Sequence, residues 1–315
     1  MDGFIVVDKP SGMTSHDVVR SVRRITGEKK AGHTGTLDPF ATGVLPLALG
    51  EGTKTIHFLD ESVKEYQATM VLGATTDTQD FTGTIVAEGD WRPITPAVVE
   101  DMAHCFTGRI SQVPPMFSAL KRNGVPLYKL ARRGESVERE SRDIEVFSLV
   151  IDQVNLPEVA FTVRCSRGTY VRTLASDMGE KLGCGAYLTK LRRTVSGPFH
   201  IENAVSLEGL SDLAGEGRLS EVVISPCAAL AQLKEVPMTE SGIAKVAHGI
   251  APDMADMPGY PSAALFPGER VRLSHGGILL AVAEIVADGR TEARGSLRLL
   301  RVFNQCPSVF PVGHR

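Results

Sequence analysis

The stretch GHTGTLDPFATGVL, residues 32–45, constrains the backbone of this chain more than any other segment. Its glycines allow the backbone to approach other backbone or a ligand closely. Pro39 fixes its own φ and biases Asp38, the one acidic residue of the stretch, toward an extended backbone. Val44 and Leu45 make the end of the stretch apolar, which argues against a loose surface loop. A carboxylate on such a stiff loop can act as a nucleophile or a base.

Ordinary turn chemistry is the alternative for the same stretch. Asp-Pro and Gly-rich pairs are common in turns, and an acidic turn residue judged by its type alone usually has a structural role. A phosphate-binding loop of the Walker type is excluded, because no Lys-Ser or Lys-Thr pair follows the glycines.

The stretch resembles the catalytic motif of the tRNA pseudouridine synthase B family, the tRNA pseudouridine-55 synthases. In that family the aspartate of the motif is the essential catalytic residue, which implies this role for Asp38. Other motifs of the family are matched in the same order over ~160 residues, and such a series is far more specific than one motif. The matching segments are KPSGMTSHDVV, KEYQATMVLG, TDTQDFTG, CSRGTYVRTLASDMG and LTKLRRT.

The resemblance implies a role for each matched residue. Tyr66 would lie against the target base, with a ring for stacking and a hydroxyl that could accept the carbon-5 proton, directly or through water. Arg172 would reach the active site and keep Asp38 ionised, because a nearby cation lowers the pKa of a carboxyl group. His33 resembles the family histidine that contacts RNA and fills the space of the flipped nucleotide. The residues implied to contact substrate or RNA are His33, Asp80, Tyr170 and Leu191.

A basic cluster lies directly before the Asp38 loop. The spacing of Val18 and Val22 predicts a helix that begins at a capping box of Thr14 and Asp17. Three arginines lie mostly off the apolar stripe of this helix: Arg20, Arg23 and Arg24. A basic cluster is often no more than a solvent-exposed helix face, but its position beside the candidate site favours contact with an RNA backbone. Further basic pairs suited to phosphates are Lys121-Arg122, Arg132-Arg133 and Arg192-Arg193.

Strands and helices interleave without regular βαβ units, which predicts a mixed α/β fold. The resemblance implies the pseudouridine synthase catalytic fold, a mixed and largely antiparallel sheet with flanking helices. Residues 207–237 are expected to form two helical pieces, and the tail a small β-barrel that resembles a PUA domain. The predicted domains are therefore a catalytic domain, 1–236, and an RNA-binding domain, 237–315. The tail arginines available to phosphates are Arg270, Arg272, Arg290, Arg294, Arg298 and Arg301.

Composition sets limits on the function. The net charge of −3 does not indicate nucleic-acid binding, but an RNA site needs only a local basic face. The five cysteines have no CxxC spacing, so neither a metal site nor a disulfide framework is predicted, and no cofactor motif is present. Because no segment reaches ~18 consecutive apolar residues, a cytoplasmic protein without membrane contact is expected.

The predicted function is isomerisation of uridine 55 in the T-loop of tRNA to pseudouridine. The base is flipped into a pocket, its glycosidic bond breaks, and carbon 5 is joined to the sugar. Whether Asp38 adds to carbon 1′ or removes the 2′ proton stays open. A monomer without an obligate protein partner is expected.

Two alternative functions remain. The first is a guide-RNA-dependent pseudouridine synthase, and the lack of a long charged tail argues against it. The second is a non-catalytic protein that binds or folds tRNA, and the combination of Asp38, Tyr66 and Arg172 argues against it.

Overall fold

The fold is organised around a nine-stranded mixed sheet. The computed structural model of the protein describes residues 1–259, 266–287 and 295–303. The strands are β1 (Gly3–Lys9), β2 (Ala31–His33), β3 (Thr42–Leu49), β4 (Val63–Leu72), β5 (Ala74–Thr76), β6 (Ile85–Glu88), β7 (Gly108–Gln112), β8 (Lys121–Arg122), β9 (Val125–Pro126), β10 (Arg142–Asn155), β11 (Glu158–Ser166), β12 (Ala186–Ser196), β13 (Phe199–His200), β14 (Lys234–Pro237), β15 (Arg270–His275), β16 (Ile278–Ala287) and β17 (Gly295–Val302). The α-helices are α1 (Ser15–Thr26), α2 (Pro96–His104), α3 (Leu127–Ala131), α4 (Val171–Lys181), α5 (Leu207–Gly215), α6 (Pro226–Ala229) and α7 (Glu240–Ala247). Short 3-10 helices lie at Gly50–Lys54, Ile56–Phe58, Ile201–Asn203, Leu219–Val222 and Met254–Asp256.

The large sheet has the strand order β1-β3-β12-β4-β11-β10-β7, with β2 paired to β3 and β13 paired to β12. Only the β3–β12 pair is parallel among its described pairs; it sets Arg192 opposite Thr42 and Arg193 opposite Gly43. The predicted mixed and largely antiparallel sheet with flanking helices is thus confirmed. Two small hairpins, β5–β6 and β8–β9, lie outside this sheet.

Helix α1 forms for the local reasons that its sequence predicts. The side chain of Thr14 accepts a hydrogen bond from the backbone N–H of Asp17 at 3.1 Å, and the backbone N–H of Thr14 donates to the Asp17 carboxylate at 3.0 Å. This capping box satisfies two helix donors. Val18 and Val22 are fully buried in the main core, and Gly27 ends the helix with φ at 70°. The helix therefore packs one face and leaves its arginines outside.

The Asp38 loop connects β2 to β3 and is closed tightly against β12. Gly43, at the start of β3, has φ at 98°, and a Cβ there would lie 2.2 Å from the carbonyl oxygen of Arg193. Glycine is thus required at this position by both the backbone conformation and the close approach of β12. The glycine places the exit of the loop directly against the strand that carries Leu191 and Arg193.

The C-terminal part has its own sheet, in the order β14-β15-β16-β17, and its own apolar core shared with α7. The prediction of a helical piece ending at Pro237 is wrong for Lys234–Pro237, because this segment is β14 and pairs with β15 in parallel. Val236 is buried in the C-terminal core, and this burial favours a strand here although the local sequence favours a helix. No described helix is long and apolar enough to cross a membrane.

The C-terminal sheet also packs on the first part of the chain. A second apolar cluster contains Leu279, Val282 and Phe303 together with Leu230, and it contacts Phe58. This contact gives the tail a structural role in the fold. A closed barrel and the likeness to a PUA domain stay predictions.

Candidate active site

Asp38 and Arg172 form a two-point ion pair across 134 residues of sequence. The Nε of Arg172 donates to Oδ2 of Asp38 at 2.8 Å, and its Nη2 donates to Oδ1 at 3.2 Å. The Asp38 side chain is 31% exposed, whereas that of Arg172 is 4% exposed. The buried guanidinium group thus fixes the carboxylate from the protein interior, and part of the carboxylate stays exposed to a ligand.

The remaining donors of Arg172 are used to fix the guanidinium group itself. Its Nη1 donates to the carbonyl of Thr78 at 2.7 Å, and its Nη2 donates to the carbonyl of Phe117 at 2.8 Å. Its Nη1 also lies 3.4 Å from Oδ2 of Asp80. Bonds to several separate chain segments hold the group in one orientation, so Arg172 determines where the Asp38 carboxylate lies.

Asp80 lies beside Arg172 in the protein interior. It is 4% exposed, and its Oδ1 accepts hydrogen bonds from the Thr78 hydroxyl at 2.8 Å and from the N–H of Thr82 at 3.0 Å. The resemblance implies that Asp80 contacts substrate or RNA. The buried carboxylate lies beside the guanidinium group of Arg172, and a contact of Asp80 with substrate or RNA stays a prediction.

The net electrostatic environment raises the pKa of Asp38 above its ordinary value. Burial is the largest cause, and the negative charge of Asp80 acts in the same direction, whereas Arg172 lowers the pKa. The expected lowering by Arg172 is therefore present, but desolvation of the carboxylate outweighs it, so the net pKa is raised. A raised pKa makes the ionised carboxylate a stronger base.

Tyr66 and Tyr170 stand close enough to Asp38 for its charge to affect them. Tyr66 is on β4, 7% exposed, opposite Arg193 of β12, whose positive charge acts to lower the pKa of the phenol. Burial raises the pKa of both phenols, and the charge of Asp38 adds to the effect in each. The backbone of Tyr170 is held by Gln112, at 2.8 and 3.1 Å. The three predicted catalytic residues and Tyr170 therefore share one site.

The second arginine of the Arg192-Arg193 pair is not available to phosphate. Arg193 is completely buried and donates to the carbonyls of Val44 at 2.8 Å and Gly35 at 3.1 Å. Arg192 points to the other side of β12 and pairs with Asp8 at 2.8 Å. The prediction that this pair contacts phosphates is wrong for Arg193, whose guanidinium group supports the Asp38 loop. Alternation of side chains along a strand is the signal that separates the two arginines.

Lys9 is a site residue that the sequence reasoning missed. Its side chain is buried, and Nζ donates to the carbonyls of Pro10 at 2.8 Å, Met13 at 2.7 Å and Pro39 at 3.0 Å. Burial lowers the pKa of Lys9 to about 8, against the opposing effect of Asp38. A lysine at the end of the apolar run FIVV was the available signal. Its bonds hold the Asp38 loop to the segment before α1.

His33 and Leu191 border the same loop. His33 ends β2, and its Nδ1 is buried without a hydrogen-bond partner in the described structure. Burial, followed by the charge of Arg193, lowers the pKa of His33 and favours its neutral form. Leu191 is 7% exposed and belongs to the main core.

The predicted basic surface is present on α1. Arg20, Arg23 and Arg24 are exposed, and Arg20 pairs with Asp17. Arg20 and Arg24 line an open groove together with Met13. An exposed cation at the rim of a groove can contact phosphate without loss of packing.

The tail arginines are mostly engaged within the protein. Arg272 donates to the carbonyl of Cys227 at 2.8 Å and to Glu235 at 2.9 Å, and Arg298 pairs with Glu284 at 2.6 Å. Arg270 lies over the ring of Phe58. Arg290 and Arg294 lie outside the described residues. The expectation that these arginines are all free for phosphates is therefore wrong for Arg272, which is mostly buried.

Family models match most of the first 231 residues. The model for the TruB family pseudouridylate synthase N-terminal domain matches residues 23–171, and that for the tRNA pseudouridylate synthase B C-terminal domain matches residues 172–231. Among solved structures, a Cbf5-Nop10-Gar1 complex matches at 28% identity and a TM-score of 0.72, covering 95% of this chain and 84% of that chain. The archaeal box H/ACA sRNP Nop10-Cbf5 complex matches at 26% identity and a TM-score of 0.70, covering 95% and 85%.

Curated relatives match nearly the whole chain. The tRNA pseudouridine synthase B of Geotalea uraniireducens is 60% identical over 304 residues, which cover 96% of this chain and 98% of that protein. The protein of the same name from Geobacter sulfurreducens is 59% identical, with 96% and 100% covered. Since these matches include the segments that build the Asp38 site, the chain belongs to the TruB family of pseudouridylate synthases.

Proposed function

We propose that this protein isomerises uridine 55 in the T-loop of tRNA to pseudouridine, with Asp38 as the essential carboxylate. The observation that carries the proposal is the Asp38–Arg172 pair, in which a buried guanidinium group fixes a partly open carboxylate. The relatives at 60% and 59% identity are named tRNA pseudouridine synthase B. A base within an RNA stack cannot reach a carboxylate so placed, so the uridine flips into the pocket.

The chemistry follows from the groups around Asp38. When the glycosidic bond breaks, the carboxylate either adds to carbon 1′ or takes the 2′ proton, and the bidentate hold of Arg172 suits both routes. The base then turns and carbon 5 bonds to carbon 1′, while the carboxylate either leaves carbon 1′ or returns the proton to carbon 2′. The carbon-5 proton leaves, and N1 of the base gains a proton. Tyr66 offers its ring to the base. Burial raises the pKa of Tyr66, so its hydroxyl is a neutral phenol at neutral pH, and whether the carbon-5 proton leaves to this hydroxyl directly or through water stays open.

The alternatives receive less support. A guide-RNA-dependent synthase is favoured only by the Cbf5 complexes, at 28% and 26% identity. A non-catalytic protein that binds or folds tRNA would not need a carboxylate and an arginine fixed in this geometry. Catalysis and RNA folding can also coexist in one protein.

We further infer a cytoplasmic enzyme that works on tRNA as a monomer, with no obligate protein partner, metal or cofactor. The separate apolar core around β14–β17 supports a division into a catalytic domain, 1–236, and a PUA-like RNA-binding domain, 237–315. The pairing of β14 with β15 favours a junction a few residues earlier, before Lys234.

The direct test incubates the purified full chain with unmodified tRNA and maps pseudouridine at each position. We expect modification at uridine 55 without guide RNA, added protein or nucleotide. A tRNA with cytidine at this position is the control and should gain no pseudouridine. Dependence on an added guide RNA would support the guide-dependent alternative instead.

We expect Tyr66→Phe to bind tRNA nearly as well as the unchanged enzyme and to turn over slowly. The ring that stacks on the base remains, but the hydroxyl is lost. General acid–base groups contribute roughly 10²–10⁴-fold to rates. Tyr66→Leu should weaken binding as well, because the ring is gone. Single-turnover rates and dissociation constants separate these effects, and a full rate in Tyr66→Phe would leave only the stacking role.

We expect the acid limb of kcat/KM to lie above pH 3.8, the ordinary pKa of an aspartate, because activity needs ionised Asp38 and its pKa is raised. Asp80→Asn removes a charge that raises this pKa, so the limb should move to lower pH. Asparagine retains the Oδ1 acceptor that Thr78 and Thr82 use. The profile is measured with a T-arm hairpin as substrate. A limb that moved to higher pH would contradict the assignment of this limb to Asp38.

A further inference from the structure

Two phenylalanines form an exposed aromatic pair that the proposed chemistry does not use. The rings of Phe40 and Phe81 meet edge to face, with centroids 5.5 Å apart and an interplanar angle of 85°. Phe81 is nevertheless 52% exposed, whereas Phe40 is half-buried and packs against the main core. One ring is thus supported by the protein and the other presents a large apolar surface to solvent.

The pair is placed at the site by its neighbours in sequence. Phe40 follows Asp38 by two residues, and Phe81 directly follows Asp80. Both carboxylates lie against the guanidinium group of Arg172. The aromatic pair therefore joins the two segments that meet at Arg172, close to the partly exposed carboxylate of Asp38.

The backbone at both rings is fixed. The N–H of Phe81 donates to the carbonyl of Leu188 on β12 at 2.8 Å, and the carbonyl of Phe40 accepts from the Ser11 hydroxyl at 3.0 Å. Asp80, next to Phe81, is buried. A ring that is already oriented loses little conformational freedom when a ligand stacks on it.

Charged groups nearby indicate which ligand suits this surface. Lys9 bonds both the carbonyl of Met13 and that of Pro39, so the groove that begins at Met13 borders the loop that carries Phe40. Asp17, Ser21, Arg20 and Arg24 also line this groove; Arg20 pairs with Asp17, and Arg24 is exposed. Cations for a phosphate backbone beside an open aromatic ring are the combination that binds unpaired RNA. A protein partner with an apolar surface would not require these arginines.

We propose that the Phe40–Phe81 pair is a stacking site for an unpaired nucleobase next to the target uridine. This inference rests on the proposed function, because the RNA must already be seated with its uridine at Asp38. Phe81 contacts the base, and Phe40 supports Phe81 from the side. Stacking here holds the neighbouring nucleotide out of the RNA stack while the uridine is in the pocket.

The test measures binding of a T-arm hairpin to Phe81→Leu in an Asp38→Asn background, which prevents turnover. A series of hairpins replaces each unpaired loop nucleotide beside the target with an abasic one. We expect Phe81→Leu to raise the dissociation constant of the intact hairpin about tenfold, within the range for loss of one base–aromatic stack. The tenfold effect should disappear with one particular abasic hairpin, because both changes remove the same contact.

The control variant is Phe147→Leu, which changes another exposed phenylalanine, 44% exposed on β10. It should bind every hairpin as the unchanged protein does, and Phe81→Trp should restore the affinity lost in Phe81→Leu. Equal weakening on all hairpins, or an effect no larger than that of Phe147→Leu, would overturn the stacking site. If the enzyme with Asp38 intact forms pseudouridine in the same hairpin, such a result leaves the proposed function in place; if it forms none, the proposed function itself fails.

Discussion

We expect Asp38→Asn to lower pseudouridine formation by roughly 10⁴-fold or more, the scale seen when a group central to bond breaking is removed. Asparagine retains the size of the side chain and an oxygen for Arg172, but it cannot add to the sugar or take a proton from it. Tritium release from tRNA labelled at carbon 5 measures the loss. Because Asp80 remains beside Arg172, the fold and tRNA affinity should stay close to those of the unchanged enzyme.

Asp177→Asn is the matched control for this variant. Asp177 is also a half-buried aspartate, on the same helix as Arg172, and burial raises its pKa to about 6. Its removal should leave turnover nearly unchanged. Substantial activity in Asp38→Asn, with correct folding shown by circular dichroism, would remove the basis for the proposed function.

We expect Arg172→Lys to reduce kcat by roughly 10²-fold or more and to destabilise the protein by about 3–5 kcal/mol. A lysine cannot hold both oxygens of Asp38 while also bonding the carbonyls of Thr78 and Phe117. The buried carboxylate of Asp80 would also lose the guanidinium nitrogen that lies 3.4 Å from it. Urea unfolding and single-turnover rates with a T-arm hairpin measure the two effects separately.

Arg192→Lys is the comparison for this second variant. Arg192 also forms a bidentate pair, with Asp8 at 2.8 and 3.1 Å, but its side chain is 38% exposed. Exposed pairs contribute about 1 kcal/mol or less, so this change should have a small effect on stability. If both variants lost stability equally, burial would not be the property that makes Arg172 important.

Local signals in the sequence predicted much of this fold. The capping box at Thr14 and the apolar stripe of α1 depend only on residues close together in sequence, and both are present in the structure. The same holds for strands with alternating or continuous apolar residues, such as β4 and β11. The resemblance supplied Asp38, Tyr66 and Arg172, and the structure brings them together.

Features that depend on distant parts of the chain were not predictable in this way. Nothing near Arg193 in sequence says that its side of β12 is covered, because the cover is the loop at Gly35 and Thr36. The burial of Asp80 beside Arg172 likewise depends on a residue far along the chain. The parallel β3–β12 pair and the strand at Lys234–Pro237 also require partners far along the chain.

The support of the Asp38 loop by Arg193 determines when during synthesis the site can form. The arginine that bonds Val44, Thr36 and Gly35 lies 149, 157 and 158 residues after them. Chains emerge from the ribosome N-terminal end first, at about 5–20 residues per second. The loop near the N-terminus must therefore wait, on the order of ten seconds or more, for β12 to emerge. A ribosome-bound chain that ends before β12 thus carries Asp38 without the strand that shapes its loop.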